Sequence, residues 1–227
     1  MRFLKSLLPL SIINSIVLFC VTLTLPEIIP SHMNAKMEID GYASRWIIMI
    51  MGTISIAISL GILIYWSCTK NNEKLLKNRK TEEILLPLIT VLMILISWVP
   101  VYLATSYDNL NANNNASLLY SLIFFVIGAF MTIISNFMGI IKYNRWLGIR
   151  TPWTLRDESV WKKTHRLGGY TGVTGGIVIC VSATFGFIFN SIALLISGFV
   201  IGMLFAVATP VIYSYKIYKK DANTKTK

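Results

Sequence analysis

Six runs of about 20 or more residues contain no ionisable side chain: 6–25, 46–68, 84–104, 118–141, 168–189 and 192–215. A helix of that length matches the roughly 30 Å of a bilayer's hydrocarbon core. A transmembrane barrel would instead show segments of about 10 residues alternating in polarity, and the chain has none. The expected fold is therefore all-α, with six membrane-spanning helices whose backbone polar groups are satisfied within each span. Of the 227 residues, 55% are hydrophobic and 14% charged, a balance unlike that of soluble domains.

The net charge of +11 raises the question of nucleic acid, and the placement of the cations answers it. With the N-terminus inside, nineteen of the 21 Lys and Arg fall in cytoplasmic segments, against Lys36 and Arg45 outside. The positive-inside rule then puts both termini in the cytoplasm of a multi-pass protein of the cell membrane. The basic charge is accounted for by topology and by membrane lipids, with no direct nucleic-acid partner. Cys20, Cys68 and Cys180 lie in or at the ends of apolar runs and read as small apolar fillers. No metal site or cofactor is expected.

The one sizeable external segment, 25–45, reads LPEIIPSHMNAKMEIDGYASR. Pro26 and Pro30 end the first helix and hold the chain extended. Glu27, Glu38 and Asp40 make this face mildly acidic. His32 has no neighbours at metal-ligand spacing and is expected to be solvated or hydrogen-bonded; Asp40-Gly41 is read as the turn back to span two. A charged connector, 69–83, in which Glu73 and Lys77 suit a short exposed helix, divides the chain into a two-span unit (1–68) and a four-span unit (84–227).

Small residues mark the expected helix contacts. Gly128, Thr132 and Asn136 form a stripe on span four. Gly168, Gly172 and Gly176 repeat every fourth residue at the start of span five, continued by Cys180 and Thr184, and span six offers Gly198, Gly202 and Ala206. Faces of this kind permit close backbone approach, so spans five and six are expected to pair most tightly. The absence of ionisable residues from every apolar run weakens a proton- or ion-coupled transporter reading.

The densest chemistry lies in 145–170, RWLGIRTPWTLRDESVWKKTHRLGGY, with Trp146, Trp153, Trp161, six basic side chains and His165. Gly148 lets the chain turn after span four, and Thr151-Pro152 suits a turn or a first helical position. Thr154 opens a capping-box spacing closed by Asp157, so a short helix over 155–166 is expected, lying in the plane of the inner leaflet before span five. Asp157 and Glu158 sit at its positive end and Lys162, Lys163 and Arg166 toward its negative end. Trp161 and His165, four apart, share a face. His165 with Asp157 or Glu158 would supply acid-base chemistry, although no nucleophile accompanies them. Arg150 reads as a fixed cation beside aromatic faces, able to clamp a carboxylate, a phosphate or the carbonyls of a helix end.

The run GIRTPWTL from Gly148, followed by VWKKTHRLGGY from Val160, closely resembles the SdpI family of bacterial membrane immunity proteins. Met138-Gly139 and Asn144 fit the same pattern. LPEIIPSH with Asn34, Ala35, Asp40 and Gly41 looks like the two-span domain of unknown function that precedes the family's C-terminal part, departing from it at Met37 and Ile39. The resemblance implies protection against a secreted, membrane-active toxin peptide, and for some members the recruitment of a transcriptional repressor to the membrane. It points to Gly148, Arg150, Thr151, Pro152, Trp153, Thr154, Trp161, Thr164, His165, Arg166, Gly168 and Gly169 as the motif that binds or signals. A membrane enzyme acting on lipid or peptide and a small-solute or lipid transporter stand as alternatives.

Overall fold

The computed structural model describes residues 2–34, 39–69, 76–106, 116–145 and 147–225. The expectations placed on Ala35, Lys36, Met37, Glu38, Glu73 and Trp146 fall outside these residues. The chain is mostly helical, and six helices are long and apolar enough to cross a membrane: Ser6–Thr24, Ile47–Cys68, Arg79–Thr105, Ser117–Ile140, Glu158–Ile188 and Ile192–Asp221. It divides into two compact units, Met1–Leu119 and Tyr120–Lys227.

In the first unit α1 (Arg2–Thr24) packs on α2 (Ile47–Cys68), and span three, α3 (Arg79–Ser97) continued by α4 (Val99–Thr105), joins them. Leu18, Leu25, Ile29, Ile48 and Val101 form one apolar cluster, and Leu7, Ile62 and Trp66 another. Small polar side chains link the helices inside: Ser11 and Ser59 hydroxyls at 2.7 Å, Ser15 donating to the Gly52 carbonyl at 3.0 Å, and Asn14 donating to Ser97 at 3.2 Å while accepting from the Trp98 indole at 2.9 Å. Such bonds hold apolar helices together where lipid and side chain are equally greasy. Trp98 marks the joint between α3 and α4, with Pro100 in the new first turn, where its missing donor is harmless.

The segment between α1 and α2 corrects the all-α expectation. β1 (Ile28–Met33) and β2 (Ile39–Ser44) pair antiparallel, with irregular register around His32. Asp40 and Gly41 lie within β2 rather than in a turn. Glycine is required there because His32 sits opposite, where a Cβ on Gly41 would stand 2.7 Å from the His32 Cβ. His32 Nδ1 meets Asp40 Oδ1 at 2.5 Å on the exposed face.

The second unit holds α5 (Ala116–Asn136) from Tyr120 onward, a 3-10 turn (Met138–Ile140), α6 (Glu158–Ile188), α7 (Ile192–Met203), a π-helical turn (Leu204–Ala208) and α8 (Thr209–Lys225). The separate helix expected over 155–166 does not form. Residues 158–166 are the first turns of α6, which runs 31 residues without a break. At 1.5 Å per residue that is about 46 Å, longer than the hydrocarbon core. Asp157, not Thr154, caps it: extended at φ −139°, ψ 120°, its carboxylate accepts from the amides of Ser159 and Val160. The helix runs through Gly168 and Gly169, where close neighbours occupy the space side chains would take: Ile149 Cδ1 at 2.7 Å and the Ser135 carbonyl at 3.3 Å from the respective Cβ positions.

The glycines of α6 serve two faces. Gly176 abuts the Gly128 carbonyl and the Thr132 amide of α5, at 2.7 and 2.8 Å from a built Cβ, and Gly172 abuts Ser135. It is Gly175, about 100° around the helix from Gly176, that meets Gly202 of α7, while Gly198 lies against Ser182. The four-residue row thus faces span four, and a neighbouring row faces span six. The π turn precedes Pro210, whose ring and missing N–H disrupt regular bonding one turn back.

Candidate functional site

The elbow of residues 141–157 folds onto the first turns of α6 and the start of α8. Its centre is Trp161, with no exposed surface, whose indole N–H donates to the Ile141 carbonyl at 3.0 Å. Tyr143 meets that ring edge-on at 5.5 Å, and its hydroxyl donates to the Leu155 carbonyl at 2.7 Å. His165, also fully buried, stacks on the other side, 3.9 Å between centroids with 20° between planes. Both its nitrogens are committed: Nε2 accepts the Ile149 N–H at 2.9 Å, and Nδ1 lies 2.9 Å from the Trp161 carbonyl. That pattern fixes a neutral imidazole with its proton on Nδ1.

Gly148 makes the stack accessible to the elbow. Its φ of +116° is closed to most side chains, and a Cβ would run into His165 Nε2 and lie 3.2 Å from the Trp161 ring. Thr151 and Thr154 then knit the turn. The Thr151 amide donates to Thr154 Oγ1 at 2.9 Å, and that hydroxyl reaches the Ile149 carbonyl at 2.9 Å. Thr154 therefore serves the turn and not the helix start. Asn144 braces the other arm, accepting from the Leu147 amide at 2.7 Å. Trp153 leaves the elbow to donate to the buried Ser214 hydroxyl and to meet Tyr215 edge-on at 5.3 Å, tying the turn to α8. Pro152 is exposed in the turn, and Thr164 is fully buried beside His165, its hydroxyl without a partner among the described residues.

The exposed surface of the elbow is basic. Arg145, Arg150, Arg156, Lys162 and Arg166 are all exposed. Arg150 donates to the Arg145 carbonyl at 2.9 Å, so its fixed partner is a turn carbonyl. Lys162 pairs with Glu158 at 3.1 Å and Lys163 with Asp221 at 3.5 Å. With Asp157 used as a cap, Glu158 in an ion pair and His165 fully bonded, the suggested acid-base set is not brought together. No group of three or more His, Cys, Asp or Glu that would hold a metal occurs among the described residues.

Sequence reasoning missed a second polar cluster, in the first unit. Glu82, in the first turn of α3, is 6% exposed; Oε1 accepts from the Tyr65 hydroxyl at 3.2 Å, and Oε2 has no partner among the described residues. The Arg79 guanidinium carbon stands over the Trp66 ring, 3.1 Å from its centroid, and the side chain donates to Thr69 Oγ1 at 3.0 Å. Because α3 begins at Arg79, a carboxylate assigned to the connector is carried inside the helix packing. The available signal was the Tyr65-Trp66 pair at the end of span two, facing an Arg and a Glu three residues apart.

Residues 140–214, which contain the elbow, α6 and most of span six, match the SdpI/YfhL protein family. Over 208 residues the chain is 25% identical to a protein of Bacillus subtilis (strain 168) described as "Immunity protein SdpI", an alignment covering 92% of this chain and 96% of that one. No solved structure matches the chain.

Proposed function

With residues 140–214 in the SdpI/YfhL family and the chain distantly homologous to an immunity protein along most of its length, we propose that it protects a bacterium against a secreted, membrane-active toxin peptide. The observation that carries this reading is the length of the match: 92% of the chain aligns with a protein whose described role is immunity. In this reading the protein is a non-enzymatic, multi-pass component of the cell membrane with both termini in the cytoplasm, as the distribution of Lys and Arg favours. The hairpin of Pro30, His32, Asp40 and Gly41 faces the arriving peptide. The elbow, with Arg150 and its neighbouring cations exposed, faces the cytoplasm and relays toxin presence to a transcriptional repressor. The rival enzyme reading loses its base, since both nitrogens of His165 are occupied by backbone groups.

The test is survival. The chain is expressed in a toxin-sensitive bacterium and challenged with a panel of membrane-active killing peptides, beside Arg150→Ala and Trp153→Ala. Protection against at least one peptide is expected from the wild-type chain. Unchanged sensitivity across the panel, with the protein present in the membrane, overturns the reading.

A further inference from the structure

Where the chain leaves α1 and enters α2, a hollow of about 310 Å³ opens between Glu27, Ile28, Ser44, Arg45 and Trp46. Its two charges are of opposite sign and are held at a fixed spacing, because the Arg45 amide bonds to the Glu27 carbonyl at 2.9 Å. Arg45 uses one terminal nitrogen to hold the Leu25 carbonyl at 2.7 Å and the Leu23 carbonyl at 3.4 Å, at the negative end of α1. Its other donors have no partner among the described residues, and neither does the Glu27 carboxylate, which is exposed. The guanidinium also stands 5.6 Å over the Trp46 ring, so its orientation is set before any ligand arrives.

The surroundings of the hollow decide what fills it. It joins the ends of two apolar spans, so it lies at the rim of the hydrocarbon slab, the level at which Trp46 anchors a helix. Trp46 is 46% exposed and lies 6.2 Å from the Phe19 ring of α1; Ile16, one turn further along α1, and Ile50, one turn further along α2, are exposed too. A polar hollow with one cation that keeps unused donors and one exposed carboxylate thus continues into an uncovered apolar strip. A soluble ion would use only the first, and an acyl chain only the second.

We infer that this hollow binds a zwitterionic phospholipid with a primary ammonium headgroup, of the phosphoethanolamine class. Arg45 takes the phosphate through its unused donors, the Glu27 carboxylate accepts from the ammonium, and one acyl chain lies along Trp46, Phe19 and Ile16. An anionic headgroup such as phosphoglycerol satisfies Arg45 but offers Glu27 only neutral hydroxyl donors in place of a cation. A quaternary ammonium has no N–H to donate to Glu27. The site belongs to the hairpin end of the first unit and does not depend on the immunity reading.

The experiment uses the purified full chain, reconstituted in bilayers of equal parts phosphatidylethanolamine, phosphatidylglycerol and phosphatidylcholine. Lipids retained after transfer to the gas phase are counted by mass. The wild-type chain is expected to retain one phosphatidylethanolamine in preference to the other two. Glu27→Gln is expected to reduce that preference at least five-fold while leaving the folded yield unchanged, because Glu27 is exposed and makes no side-chain bond. Arg45→Gln is expected to lose the retained lipid altogether; since Arg45 also holds the end of α1, Glu27→Gln carries the test if that variant does not fold. Equal retention of the three lipids by the wild type, a preference for phosphatidylglycerol, or an unchanged preference in Glu27→Gln overturns the assignment.

Discussion

The imidazole of His165 lies almost parallel to the indole of Trp161, one helical turn before it, with 3.9 Å between ring centroids. Each ring also holds a backbone group of the elbow, so the pair acts as a structural peg. Truncating the indole in Trp161→Ala should cost about 3–5 kcal/mol, as for other buried aromatic residues. His165→Ala should cost about 1–3 kcal/mol through the Ile149 amide left unpaired. Thermal unfolding of the detergent-purified variants measures both. Protection per folded molecule should survive in His165→Ala; a variant that melts like the wild type yet fails to protect would assign chemistry to the imidazole.

Gly148→Ala should destabilise the elbow by about 1–3 kcal/mol from backbone strain alone, with steric overlap against His165 added. Gly61 provides the control, because a Cβ there meets nothing within 4 Å. Gly61→Ala should unfold at or slightly above the wild-type temperature. Equal melting of the two variants would show that the positive φ is not required.

Among the glycines of α6, Gly176 has two backbone atoms of a neighbouring helix within 3 Å of its Cβ position. Its neighbours are the Gly128 carbonyl and the Thr132 amide, which have no rotamer to change, and, closer still, the Thr132 hydroxyl, which is bonded to that same carbonyl. Gly176→Ala should therefore lower stability by about 1–3 kcal/mol, the range for overpacking. Paired cysteines at Gly128 and Gly176 are too intrusive as a check; the expected readout is lower membrane abundance and melting temperature than for Gly61→Ala.

Tyr65 and Glu82 are expected to be coupled. Tyr65→Phe and Glu82→Gln together should show a coupling energy of about 0.5–1.5 kcal/mol in a double-mutant cycle, the net worth of one hydrogen bond. Additive effects would mean that the hydroxyl and carboxylate do not depend on each other.

The six long apolar helices were legible because ionisable residues are excluded from long runs of sequence, a signal that needs no knowledge of tertiary contacts. The elbow was legible as a place: Gly148, Trp161 and His165 are close in space as well as in sequence. Its internal arrangement was not. Thr154 and Asp157 both suit a helix cap, and only the tertiary contact of Thr154 with the Ile149 carbonyl decides between them. The hairpin escaped notice because Asp40-Gly41 carries a turn signature, whereas the glycine is there to make room for His32 across the ladder. The two faces of α6 were confused for a simpler reason. Glycines at 172, 175 and 176 fall within five residues of one another, and nothing local says which neighbouring helix each one meets.

The unbroken course of α6 has a mechanical consequence. A helix without a joint cannot absorb a disturbance at one end by bending locally, so it behaves as a lever arm. Tilting a rod of about 46 Å by about 5° displaces its far end by about 4 Å, close to the rise of three residues. The peg of Trp161 and His165 sits at one end of that arm, and Phe185 and Ile188 ride at the other.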